Sequence, residues 1–263
     1  MDPGRRPRYL AALGLDAWQR RDAFAAGPVA AVPARAAVAL SAAVPVPTVP
    51  AAVAVEAPPS APRTPPIALP GWDELQAQVA SCRKCRLCET RNKTVFGVGP
   101  MDARLMVVGE GPGADEDAQG EPFVGRAGKL LDEMLRAIGR TRSTDTFIAN
   151  VVKCRPPENR EPAEEEAEAC RPYLEQQLKT IKPRLIVALG RIAAQRLLAT
   201  DTPIGKMRGQ TYAWGPDATP LMVTYHPAYL LRNPGEKAKS WEDLKRIHRF
   251  LTAAPDGGTR GQA

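Results

Sequence analysis

The sequence predicts an α/β fold, a three-layer α/β/α sandwich with a central four-stranded, mainly parallel sheet. Two observations carry this. Residues 104–109, 146–151, 184–190 and 221–226 form short, nearly continuous runs of Val, Ile, Leu and Met, as strands buried on both faces do. Amphipathic stretches at 128–138, 162–180 and 191–200 lie between them, and strand–helix alternation of this kind makes a parallel sheet covered by helices. A third feature, Tyr212–Trp214, offers a short hairpin strand beside the last run. In such sheets ligands bind beyond the carboxyl ends of the strands. The residues there are Gly109-Glu110, Asn150 and His226.

The predicted domain is residues 71–252, with 253–263 an unstructured tail. Residues 25–70 are almost wholly Ala, Pro and Val, with Arg35, Glu56 and Arg63 as their only charges. Prolines at that density suit neither a helix nor a paired strand, so a disordered, extended linker is expected. Pro45, Pro47 and Pro50 interrupt its apolar part, far short of the ~20 apolar residues of a membrane span. The start MDPGRRPRYL lacks the apolar core of a signal peptide. A cytoplasmic monomer with no membrane contact is therefore expected. The formal net charge is +7, of which residues 1–70 supply +3, so the domain is only mildly basic, as many proteins without an anionic partner are.

Residues 1–24 differ from the linker. Tyr9, Leu10, Leu13, Leu15 and Trp18 recur at roughly helical spacing among arginines. The alternatives are a tail without structure and a tethered peptide that folds on a partner. The pattern resembles the N-terminal peptide of the bacterial clamp-loader ψ subunit, which implies contact with a replication or repair protein.

Five cysteines with no export signal point to metal or redox use rather than a disulfide framework. Cys82, Cys85 and Cys88 form C-x2-C-x2-C, and Cys154 and Cys170 follow with fifteen residues between them. Four thiolates from two distant pairs can hold zinc or an iron–sulfur cluster. The wide second spacing favours the bulkier group. Spacing alone does not say which of the first three cysteines is spare.

From Gly109 the chain reads GEGPGADEDAQGEPFVGRAGKLL. A glycine-rich loop between strand and helix can cradle phosphate, yet this one fits neither the dinucleotide fingerprint nor the Walker loop. Taken singly, Phe123 suits a core aromatic, Asn150 a loop cap and His226 a turn residue. Together with NVVKCRPPENR from Asn150, HPAYLLRNP from His226, and C-x2-C ahead of TVFGVG, the loop resembles the family 4 uracil-DNA glycosylases of bacteria and archaea. The resemblance runs from about Gly71 to Phe250, with the motifs in family order.

That resemblance implies a base-excision-repair enzyme acting on uracil-containing DNA, and a [4Fe-4S] cluster on Cys82, Cys85, Cys154 and Cys170, with Cys88 a bystander. It implies that Glu110, Gly111 and Gly113 border the base, that Phe123 stacks on it, and that Asn150 reads it. His226 lies against uracil O2. Arg208, Leu230, Leu231 and Arg232 are implied to face DNA, the leucines filling the vacated stack. Related glycosylases hold the attacking water with an Asp at the position where this chain has Gly111. Glu110, Glu116 and Asp117 are the candidates to replace it, and family analogy favours Glu116; the alternative is that these acids cap the following helix. His248, in LKRIH, is expected on the surface of a last helix. A rival reading is a non-catalytic iron–sulfur DNA-binding accessory protein, against which Asn150 and His226 both stand.

Overall fold

The computed structural model describes residues 71–253. The expectations for residues 1–24, 25–70 and 254–263 lie outside the described residues. The elements run α1 (Trp72–Ala80), α2 (Leu87–Thr90), β1 (Leu105–Gly109), α3 (Ala114–Gln119), α4 (Arg126–Ala137), β2 (Thr146–Asn150), α5 (Glu164–Ile181), β3 (Leu185–Leu189), α6 (Arg191–Leu198), α7 (Ile204–Met207), β4 (Thr211–Trp214), β5 (Thr219–Thr224), α8 (Pro227–Arg232) and α9 (Lys237–Thr252).

The sheet has five strands in the order β2-β1-β3-β5-β4. The first four run parallel, and β4 closes one edge by pairing antiparallel with β5. The hairpin strand at Tyr212–Trp214 is therefore real, and the sheet gains a fifth member over the four expected. β1 leads to β2 on one side, and the chain then crosses back to lay β3 on the other. This reversal creates the crevice at which α/β sheets receive ligands.

Alternation along the strands sorts the core into two layers. Met106, Val108, Phe147, Ala149, Ile186 and Ala188 point to the side covered by α1, α5 and α6, where Leu75, Tyr173, Leu174 and Ala193 meet them. Leu105, Val107, Ile148, Leu185, Val187 and Leu189 point to the other side, against Leu131 and Leu135 of α4, Leu230 of α8, and Leu244 and Ile247 of α9. Every residue of β1, β2 and β3 is buried, so continuous apolar runs were the right signature. The last run ends at Thr224 instead of His226 because Pro227 starts α8 and His226 is its N-cap. Proline at the first helical position disfavours helical backbone in the residue before it.

One buried ion pair locks α9 to the sheet. Arg208 Nε donates to Asp243 Oδ2 at 2.7 Å, and Thr224 Oγ1 donates to the same oxygen at 2.7 Å. Both charged side chains are largely shielded, 12% and 7% exposed. Removing one partner leaves the other buried without compensation. Asp243→Ala is expected to cost roughly 3–5 kcal/mol of stability, read from urea unfolding, whereas Glu242→Ala on the exposed side of α9 should lie within experimental error of the parent chain.

Candidate active site at the carboxyl edge of the sheet

A cleft of about 340 Å³ opens beyond the ends of β1, β2 and β5. Glu110, Gly111, Gly113 and Glu116 line it from the loop after β1, Asn150 from the end of β2, and His226 and Arg232 from the two ends of α8. Phe123 closes a further wall. Eight residues expected from the sequence thus meet in one place.

The ends of β1 and β2 touch so closely that only glycine fits at Gly109. A Cβ there would stand 2.4 Å from Asn150 Oδ1 and 2.6 Å from Phe123 Cζ. Phe123 itself adopts φ +55°, a left-handed backbone that costs a bulky residue of order 1–3 kcal/mol and persists only where the surroundings impose it. Two features impose it. Arg142 donates to the carbonyls of Pro122 and Phe123 at 3.0 and 2.9 Å while Asp132 holds its Nε. Gly128 also packs so tightly that a Cβ there would fall 1.7 Å from Phe123 O. The ring so fixed lies 5.5 Å from the His226 ring at an interplanar angle of 33°. Arg142 carries no motif signal that would have marked it as a support, whereas Gly109 and Gly128 lie in the glycine-rich segment read from the sequence.

Asn150 is 2% exposed, and its Oδ1 has no hydrogen-bond partner. Buried polar atoms in folded proteins are nearly always satisfied, so an orphan acceptor on a cleft wall calls for a donor from a ligand. His226 offers the opposite. Its Nδ1 accepts from Ala228 N at 3.1 Å, which leaves the proton on Nε2. Gly190, at φ +90°, lets β3 approach the His226 Cβ, since a side chain there would meet it at 3.0 Å.

Comparison with known proteins gives the family of the chain. The model of the uracil DNA glycosylase superfamily matches residues 96–245. The Type-4 uracil-DNA glycosylase of Archaeoglobus fulgidus is 46% identical over 182 residues, covering 66% of this chain and 90% of the relative. Those of Sulfurisphaera tokodaii and Thermotoga maritima are 43% and 44% identical, covering 70% and 66% of this chain and 86% and 91% of the relatives. The chain belongs to the uracil DNA glycosylase superfamily.

For this superfamily member the three acids of the first loop have separate tasks. Glu116 Oε2 accepts from Gly113 N at 3.1 Å, and Oε1 accepts from Val124 N at 3.0 Å and Gly125 N at 3.1 Å. Glu116 therefore ties both ends of the loop together and caps α3. Asp117, 1% exposed, accepts from Asn92 N, Asn92 Nδ2 and Lys93 N. Glu110 lines the cleft with no hydrogen bond to its carboxylate among the described residues. Burial, then the nearby Glu161 carboxylate, raises its pKa, and Arg191 partly offsets this. A side chain in place of Gly111 would run into Val152 Cγ2 at 2.8 Å.

Two of the four residues expected at the DNA are engaged within the fold. Arg208 is consumed by Asp243 and the Lys239 carbonyl and lies over the Tyr225 ring at 4.3 Å. Leu230 is 1% exposed and belongs to the core. Leu231 is half-buried and Arg232 exposed, because only one face of the short α8 can pack inward. His248 is exposed as expected, with Nδ1 3.1 Å from Ile138 O.

Burial, reinforced by Arg232, lowers the His226 pKa to about 4. The folded protein thus refuses a proton that the unfolded chain accepts near 6.5. Stability from this residue is full above about pH 6.5 and falls as the pH drops toward 4. With only two histidines in the chain, NMR titration resolves both. His226 is expected to stay neutral, in the Nε2–H form, at pH 5.5, while a ring that protonates near 6.5 would contradict the geometry.

Proposed function

We propose that this chain excises uracil from DNA by hydrolysing the N-glycosidic bond, the first step of base-excision repair. The orphaned Oδ1 of Asn150 carries this reading. Uracil presents N3–H to such an acceptor and O4 to the amide's donor. Cytosine presents the reverse at both positions, so the same amide meets donor with donor and lone pair with lone pair. Phe123 supplies the flat wall on which a planar base stacks. The base must leave the duplex to reach this cleft. Leu231 would fill the vacated stack, and Arg232, which lines the cleft, would meet a phosphate. The protein acts as a monomer on DNA, and residues 1–24 offer a tether to a replication or repair protein.

Bond breaking leaves negative charge on the departing uracil. The Nε2–H of His226 donates to uracil O2, and a preorganised neutral donor in a partly dry site is worth far more there than in water. Because Ala228 N occupies Nδ1, the donor needs no rearrangement as charge develops. A carboxylate must then hold the water that attacks the sugar carbon. Family analogy favours Glu116, but its three backbone bonds support a loop-ordering role. The free carboxylate of Glu110 supports assigning the water to it.

The family resemblance implies a [4Fe-4S] cluster on Cys82, Cys85, Cys154 and Cys170, and the donor set fits one. All four line a single cavity. Arg91 donates to Cys154 Sγ at 2.9 Å and to Cys82 O at 2.8 Å, compensating thiolate charge as outer-shell donors do. Such a cluster would crosslink the segment between α1 and α2, the loop after β2, and α5. Cys88 borders the same cavity and is proposed to be dispensable.

An oligonucleotide containing a single uracil, incubated with the protein and then treated to cleave abasic sites, tests the function; intact strands in single-stranded, U:G and U:A contexts would refute it. In single turnover Glu110→Gln is expected to lose on the order of 100-fold in rate without a change in melting temperature. Glu116→Gln should lower the melting temperature as well, and the reverse pattern would return the water to Glu116. Cys154→Ser should lose iron and the visible absorption of the purified protein, and Cys88→Ser should keep both.

A further inference from the structure

Lys153 is the only fully buried lysine or arginine among the described residues, at 1% exposed. Burying an ammonium is costly unless hydrogen bonds repay the lost hydration. Here Nζ donates to Asn150 O at 3.0 Å and to Gln177 Oε1 at 2.7 Å. Gln177, itself fully buried, passes its amide on to Phe96 O at 2.9 Å. The main chain of the same lysine faces the thiols: its N–H donates to Cys170 Sγ at 3.2 Å, and its carbonyl accepts from Val95 N at 2.8 Å.

The sheet explains why Asn150 needs such a partner. β2 is an edge strand, and along a parallel strand the N–H and C=O of alternate residues point to the same side. Ile148 turns both groups to the open edge, where Val98 satisfies them. Asn150, two residues on, turns its carbonyl the same way with no strand beyond it. Lys153 fills that place. The tolerance on the other side of Asn150 is small, because its Oδ1 would stand only 2.4 Å from any Cβ at Gly109.

We propose that Lys153 is a positioning residue for base recognition: it pins the Asn150 main chain, and through it the carboxamide, to the cysteine-bearing segment and α5. This rests on the reading of Asn150 as the residue that contacts uracil. Lys153 touches no substrate. It converts the rigidity of the thiol-bearing loop into a fixed direction for the Asn150 amide, so the loop and the cleft are coupled through one side chain.

The test uses the full chain with Lys153→Met, which keeps length and apolar bulk and removes the donor. Iron per chain and affinity for uracil-free DNA are expected to match the parent. The single-turnover rate at saturating enzyme should fall on the order of 100-fold, as small misplacements of a reacting group do, and free uracil should cease to compete. A parent-like rate with parent-like uracil competition would overturn the proposal. So would a rate loss proportional to lost iron, since the lysine would then serve only the cysteine site. Gln177→Met, which keeps the lysine and removes its second anchor, is measured alongside in case Lys153→Met does not fold. A smaller loss of rate with iron retained is expected, and no loss would overturn the proposal. If the parent chain itself neither cuts uracil-containing DNA nor binds uracil, the reading of the cleft fails before any variant is compared.

Discussion

The contact among Gly109, Asn150 and Phe123 is the constraint around which the rest of the molecule is arranged. Two parallel strands end side by side, and at the end of one there is room for a hydrogen and nothing larger. That lack of room lets an aromatic ring and a carboxamide share one wall. Holding them there requires a left-handed Phe123, and the strain is borne by the Arg142 clamp and by the tight approach of Gly128. Backbone strain of this size is kept only where neighbouring structure over-determines it.

The two layers of the core contribute differently to the cleft. The layer of α4, α8 and α9 supplies Phe123 and sets His226 at the head of α8. The layer of α1, α5 and α6 carries Cys154 and Cys170, with Cys82 and Cys85 packed against it. β1, β2 and β3 each contribute side chains to both layers, and just after β2 the chain passes from the cleft to the thiols, so Asn150 and Lys153, three residues apart, face different surroundings. His226 and Asn150 present a donor and an acceptor to one cleft, each held by a main-chain bond that does not depend on substrate.

Much of the site was legible in the sequence because it falls where strands end. Continuous apolar runs located β1, β2, β3 and β5, and the residues just after them proved to line the cleft. The misreadings share a cause. Arg208 and Leu230 sit in stretches that look basic or apolar and exposed, yet one is paired with a buried carboxylate and the other packs inward. Sequence spacing cannot tell an arginine that meets a phosphate from one that meets Asp243, 35 residues away. Glu116 carries the same ambiguity, since its carboxylate could serve a water or three backbone N–H groups.

By itself the sequence determined the layered α/β architecture, through the periodicity of burial, and the superfamily, through motifs whose order and spacing are local properties of the chain. The tertiary structure alone decided which groups are left with unspent hydrogen-bonding capacity. Asn150 Oδ1 is an orphan, Glu110 is unbonded, and Lys153 is buried between the thiols and the cleft. Each of these facts depends on what other segments bring to the same place. A residue's type sets how many hydrogen bonds it can make, whereas the fold sets how many remain for a ligand.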